Sequence, residues 1–580
     1  MKRFLYYTAF LNLLILFFVS QAFAQSEDAL YLYAGTTLDA AISADQSSGN
    51  PHSVYVLATT DTTYLFEQTI VISNSVTIRG VAGANGELPC IQPNVLQDAS
   101  VPGQLFSFTG DNTVIKLENL YLLAASVNNT INWADGIGIF VNGNEIKTYI
   151  DNVVFEQWPQ FAISYAGDWN SFWITNCKFR NMVHQGSVYT GEAFRMRNDL
   201  GAAVTDTVVM RYNTYLAVNA YAMAAPVGGY MNYAEFSHNT IISMVKNPFF
   251  VGAITNWKVE HNIFYGTYVG GMSNGEYPWW DRISGGLSST IDVEPMTIVN
   301  AARFGIDTTL TDWDTQAEAL RTVEVNDNIY FMPQVFLDFY GSVNDTASTA
   351  NDSIMVCGWM NDENIAMFAD ETTYPGIVED GNLVDTDPQY GSSITAMIAS
   401  EGADVSEEYG IGAIPYISAA RKNGAVANAV YGYQQSAPTG EIDWVPTWPL
   451  PEYTSGDLQY GADLMATDGK YYGDPFWFTG EVTGVEDNGA KPLDFVLKNA
   501  YPNPFNPSTV VEFSIPEAGN VSLKVYDILG REVLTLVNNE VKSAGAYKQV
   551  VDMNGFSSGI YFYSLHFNNN VQTKKMILMK

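Results

Sequence analysis

Between residues 117 and 330 one pattern of apolar and polar positions returns again and again. An apolar residue is followed by a polar one, then by Asn, His, Tyr or Asp, then by two more residues and an apolar or aromatic one. It reads LENLYL (117–122), IDNVVF (150–155), ITNCKF (174–179), MRYNTY (210–215), FSHNTI (236–241), VEHNIF (259–264) and VNDNIY (325–330). The starts lie 33, 24, 36, 26, 23 and 66 residues apart. Intervals of 23 to 26 suit one coil of a parallel β-helix, and the longer ones a coil with a loop inserted at a turn. A weaker copy, VTIRGV (76–81), precedes them. Each short strand has an inner face that it cannot bury alone. Stacking coils about 4.8 Å apart predicts a continuous core through Met210, Phe236 and Val259, with Tyr215, Ile241 and Phe264 beside them. Asn213, Asn239, Asn262 and Asn328 hold the fourth place. There an Asn tolerates left-handed backbone, satisfies the bend, and bonds its amide to the next along the stack.

A solenoid needs capped ends. Thr37 to Ile42 predicts a short amphipathic helix over the N-terminal edge. With VYVL (54–57) and VTIRG, it resembles the opening of right-handed β-helix proteins of the pectate-lyase-like superfamily. GNLVDTDPQY (381–390) and YGIGAIPY (409–416) resemble that superfamily's closing coil. The resemblance spans roughly residues 30 to 416 and implies the fold far more than the activity, since that superfamily holds lyases, hydrolases, isomerases, adhesins and structural proteins. Residues 417–490 carry Trp444, Trp448, Pro446, Pro449, Pro451 and DGKYYGDPFWF (468–478). They read as an extended linker packed along the helix.

Charge divides the chain further. Lys2 and Arg3, an apolar run from Phe4 to Val19 and Ala22-Phe23-Ala24 read as a signal peptide, residues 1–24, cleaved after Ala24. No other apolar run approaches the roughly 18 residues that span a bilayer. Residues 491–580 hold nine Lys+Arg and seven Asp+Glu, net +2; residues 25–490 hold 16 and 55, net −39. So acidic a body argues against nucleic acid as a partner and against an anionic membrane surface. Three Cys cannot make a disulfide framework; Cys90, Cys177 and Cys357 read as small buried apolar residues. In the tail, alternation predicts strands at Thr509–Ile515, Val521–Tyr526, Tyr547–Asp552 and Ile560–Phe567, a small antiparallel sandwich.

That tail resembles a known family. LKNAYPNPFNPSTVVEFSIPEAGNVSLKVYDILGREV (497–533), GAYKQVVDMNGFSSGIYFYSL (545–565) and KKMILMK (574–580) look like the type A sorting domain of the bacterial type IX secretion system. The resemblance implies a Gram-negative bacterium of the Bacteroidetes–Chlorobi–Ignavibacteria kind, export to the periplasm, and passage across the outer membrane to release or surface attachment. The fold expected is therefore all-β: a right-handed parallel β-helix over 25–416 with an N-terminal cap, the linker 417–490, and an Ig-like β-sandwich over 491–580.

Candidate chemistry is sparser. In GEAFRMRND (191–199), alternation puts Arg195 and Arg197 on one face with Glu192 opposite unless a turn intervenes, and Asp199 joins them at the strand end. With His184 these would form a charged groove for an acidic sugar, the Arg taking the proton beside a uronate. The calcium and base motifs of pectate lyases, and the Asp-Asp and Gly-His-Gly motifs of polygalacturonases, are not visible. His238 and His261 share the third place in successive motifs, within reach of a shared metal or of each other, though as bend residues they need neither. Asp380, Asp385 and Asp387 form a loop cluster that would suit calcium or a solubilising, salt-tolerant surface. Tyr277, Trp279 and Trp280 in EYPWWDR (276–282) would stack on sugar rings or pin the long insertion. Two functions follow: a secreted or surface-attached protein that binds polysaccharide or a cell-surface glycan, or acts in adhesion, without catalysis; or a polysaccharide lyase or other carbohydrate-active enzyme on an acidic glycan, acting through the Arg195 and Arg197 region.

Overall fold

The apolar first and sixth places set the register of everything between them. The computed structural model describes residues 29–388 apart from short internal stretches, residues 468 and 472–474, and most of 496–578. In it each motif pairs in parallel with the next. Leu117, Ile150, Ile174, Met210, Phe236, Val259 and Val325 align at the first place. Leu122, Phe155, Phe179, Tyr215, Ile241, Phe264 and Tyr330 align at the sixth. All are buried. Because the strand spacing is also a ring-stacking distance, Phe155, Phe179 and Tyr215 stack nearly flat, 5.0 and 4.9 Å apart.

The third place, not the fourth, carries the left-handed residue. Asn119, Asn152, Asn176, Tyr212, His238, His261 and Asp327 all have φ between +51° and +59°. One further repeat, Glu379 to Val384, pairs with the motif at 325–330 and places Gly381, φ +67°, at that position. The fourth place is the amide ladder. Asn239 Oδ1 accepts from the backbone N–H and the Nδ2 of Asn213, at 3.0 and 2.9 Å. The same double bond links Asn239 to Asn262, Asn262 to Asn328, and Asn328 to Asn382. The first four amides are buried, and each Nδ2 also reaches a backbone carbonyl of a neighbouring repeat. The left-handed kink turns the chain, and the following amide bonds the turns to one another.

These repeats make a 19-stranded sheet, with a second, 7-stranded sheet running from Ile70–Ile72 to Phe249–Val251. Every pairing in both is parallel. A single apolar core lies between them. The helix Leu38–Gln46 buries Leu38 and Ile42 against that core beside the first strands. Two insertions carry helices that the strand pattern does not predict: Ile298–Arg303 and Trp313–Glu318 before the motif at 325, and Gln334–Thr346 and Asp362–Ala369 after it.

Residues 472–474 cross the outer side of the repeats. Lys178, Thr214 and Thr240 hold the fifth place in adjacent repeats. Buried Asp474 ion-pairs with Lys178, accepts from Thr214 Oγ1 at 2.7 Å, and donates its N–H to Thr240 Oγ1 at 2.9 Å. The Gly473 N–H donates to the His261 carbonyl at 2.7 Å.

The chain divides into two compact units, Met1–Gly480 and Glu481–Lys580. The second holds two antiparallel sheets. One contains Val496–Leu497, Ser508–Ile515 and Gly545–Asp552; the other Glu532–Lys542, Gly519–Tyr526, Gly559–Phe567 and Asn570–Leu578. They share one core around Val511, Phe513, Leu523, Tyr563 and Leu565. Residues 1–28 and 389–467 lie outside the described residues, and with them the signal segment and YGIGAIPY. No described helix is long and apolar enough to cross a membrane.

Candidate functional site

Register stacks the outward side chains as strictly as the buried ones. Lys116, Tyr149, Trp173, Val209 and Glu235 form one row across the outer face of the long sheet. Tyr149 and Trp173 lie 4.6 Å apart and within 8° of parallel, and Lys116 Nζ is 6.0 Å from the Tyr149 ring centre. The next row, two residues away on each strand, holds Val114, Lys147, Ser171 and Thr207.

Trp169 stands just before the strand Asn170–Thr175 and flanks that row. It is 53% exposed, with φ +61°. A large aromatic side chain left in water forgoes its burial energy, and the left-handed backbone costs an L-residue about 1–2 kcal/mol. A hydrogen-bonded turn holds it there. Asp111 Oδ1 accepts the Asn144 N–H at 2.7 Å, Asn144 Oδ1 accepts the Asp168 N–H at 2.9 Å, and Asp168 Oδ1 accepts the Val204 N–H at 2.9 Å. Beside Trp169 opens a cleft of about 500 Å³ lined by Asn112, Glu145, Lys147, Ser171 and Asp206, among others. An aromatic plane edged by amide, hydroxyl and carboxylate groups has the chemistry to hold a sugar ring: its apolar face on the indole, its hydroxyls on the rim.

Arg195 and Arg197 do share a face, and both lie over the Phe161 ring, 5.9 and 5.4 Å from its centre. Glu192 is not opposite them. Gly191, φ +84°, turns the chain just ahead of it, and both Glu192 oxygens accept from Arg195, at 3.0 and 3.3 Å. Burial drives the Glu192 carboxyl up to about 8, with the arginines pulling it partly back. Its 1% exposure keeps this acid away from any substrate. His184 packs edge-on to Trp133, 6.2 Å between ring centres, and burial lowers its pKa. Asp199, Tyr277, Trp279 and Trp280 lie outside the described residues.

Asp380, Asp385 and Asp387 are exposed, and the structure does not gather them into a calcium-sized group. Among the described residues, the one group of three or more His, Cys, Asp or Glu ligands within reach of one ion is His238, His261 and Asp468. Cys90, Cys177 and Cys357 are buried thiols outside any disulfide, and burial pushes the Cys90 and Cys177 thiols up.

The sequence reading missed Trp169, Tyr149 and Trp173, which a six-residue motif does not single out. The spacing of Tyr149 and Trp173, one place before the motif's first residue in adjacent repeats, is the signal that would have found the pair.

Comparison with curated proteins and with solved structures returned no match. Residues 499–579 match the secretion system C-terminal sorting domain family, and this tail supports secretion through the type IX system, to the outside or to the cell surface.

Proposed function

We propose that this protein is a right-handed parallel β-helix of the pectate-lyase-like kind, with an Ig-like sorting domain, that binds polysaccharide at the cell exterior without cleaving it. The observation that carries the reading is Trp169: half exposed, in left-handed backbone, fixed by a hydrogen-bonded turn, and beside an open cleft. Tyr149 and Trp173 extend its apolar surface along the same face. A neutral glycan is the fitting ligand, because residues 25–490 carry a net charge of −39 and would repel a polyanion. The acidic-glycan lyase reading is the weaker one, since Arg195 is tied to a buried acid.

The test is affinity electrophoresis of the purified chain through neutral and uronate-containing polysaccharides. Retardation by a neutral polysaccharide, weakened about tenfold in Trp169→Ala, is the expected result. Retardation that survives Trp169→Ala but is lost in Trp279→Ala/Trp280→Ala moves the site to the insertion. Unsaturated sugar ends that accumulate and vanish in Arg195→Ala would establish a lyase instead.

A further inference from the structure

His238 and His261 hold the third place of successive repeats, where left-handed backbone fixes the direction of the Cα–Cβ bond. Their φ values are +53° and +59°. The rings consequently stack 4.8 Å apart, tilted by 23°. Opposite them stands Asp468, 230 residues beyond His238, with Oδ2 3.1 Å from His238 Nε2. One ligand atom from each of the three lies within 4.8 Å of the others. Asp327, at the third place of the next repeat, puts Oδ2 3.6 Å from His261 Nε2.

We propose that His238, His261 and Asp468 bind a divalent transition metal, zinc by preference, and that the ion fastens the 468–474 segment to the repeats. Two imidazoles and a carboxylate are a transition-metal donor set. Calcium, which takes oxygen ligands, does not suit them. Zinc bonds of about 2.0–2.2 Å set tetrahedral ligand atoms roughly 3.3–3.6 Å apart, so atoms within 4.8 Å of one another close on an ion by small side-chain rotations. Asp327, close to His261 but outside that group, is the neighbouring carboxylate that would orient the ring. His238 is 4% exposed, whereas Asp468 is partly open to solvent, so the metal has a way in. Residues 472–474 are anchored to the repeats independently, through Asp474 and Gly473. This site is independent of the glycan face.

The test is calorimetric titration of the intact, chelator-stripped protein with zinc chloride, paired with the visible spectrum of the cobalt(II) form. The expected result is one tight site per chain and the intense bands of a tetrahedral cobalt centre. Both disappear in His261→Ala and in Asp468→Asn, the latter changing a partly exposed side chain and leaving the fold's circular dichroism intact. Asp327→Asn weakens zinc about tenfold, and His52→Ala changes nothing. Absence of a stoichiometric site in the wild type overturns the proposal. So does zinc binding that Asp468→Asn and His261→Ala leave unaltered in folded protein.

Discussion

Replacing Asn239 with Ala tests whether the amide ladder holds the repeats together. Asn239 is fully buried. Its Oδ1 accepts from the Asn213 N–H and Nδ2, and its Nδ2 donates to the Met210 carbonyl at 2.9 Å and to Asn262 Oδ1 at 3.1 Å. Alanine removes all four bonds. Asn213 Nδ2 keeps the Ile174 carbonyl and Asn262 Oδ1 keeps the Asn239 N–H. The Asn213 N–H loses the side-chain oxygen it donates to, and the Met210 carbonyl loses an amide donor. A buried polar group left unsatisfied costs about 1–3 kcal/mol, so the substitution should destabilise by about 2–4 kcal/mol. Asn119→Gly is the contrast. Asn119 Oδ1 accepts one exposed bond, from Asn152 Nδ2 at 2.8 Å, and its φ of +56° suits glycine. That change should stay within about 1 kcal/mol. Urea unfolding followed by circular dichroism and tryptophan fluorescence reads both. Asn239→Ala within about 0.5 kcal/mol of wild type would refute a structural role for the ladder.

Three further outcomes are expected. Glu192 is raised to about 8 in the folded protein against an ordinary 4.5; between those values the unfolded chain releases a proton that the folded one keeps, so its contribution to stability falls as pH rises through that window. Glu192→Gln should remove this loss and gain on the order of a few kcal/mol at pH 9 relative to pH 5, read from denaturation midpoints; identical pH profiles would reject it. Gly473 has φ +73°, and a Cβ there would collide with Thr240 Oγ1 and press on Ile263, so Gly473→Ala should raise amide exchange at residues 472–474 by at least about tenfold; unchanged exchange would show that the segment does not rest on the repeats. Deleting 499–579 in the native host should leave the protein in the periplasm, as cell fractionation and immunoblotting would reveal; undiminished appearance outside the cell would contradict its role as an address.

The repeat was legible because its information is local. Apolar first and sixth places recur within six residues, and burying both fixes which strand of each repeat meets the next. The exchange of roles between the third and fourth places was not legible, because Asn suits both a left-handed bend and an amide ladder. His, Tyr and Asp at the third place show that backbone conformation, rather than amide bonding, is what that position demands. The helices Gln334–Thr346 and Asp362–Ala369 sit in an insertion that the strand period does not reach. At the candidate sites the missing information is long-range. Trp169 reads as a core residue until the turn that exposes it is in place. Asp468 is brought to His238 by a segment anchored through Asp474, a placement that no local pattern encodes. Glu192 opens its strand and accepts from Arg195, a bond that strict alternation over so short a stretch does not predict.

The proposed role of the outer aromatic face is to bind a glycan and leave it whole. It is tested most directly by titrating the intact protein with the neutral polysaccharide it retains best, while following sugar-chain ends over time. The account predicts saturable binding with no new ends, and loss of binding in folded Tyr149→Ala/Trp173→Ala and Trp169→Ala variants. Accumulating ends, or binding that these variants leave intact, would contradict it.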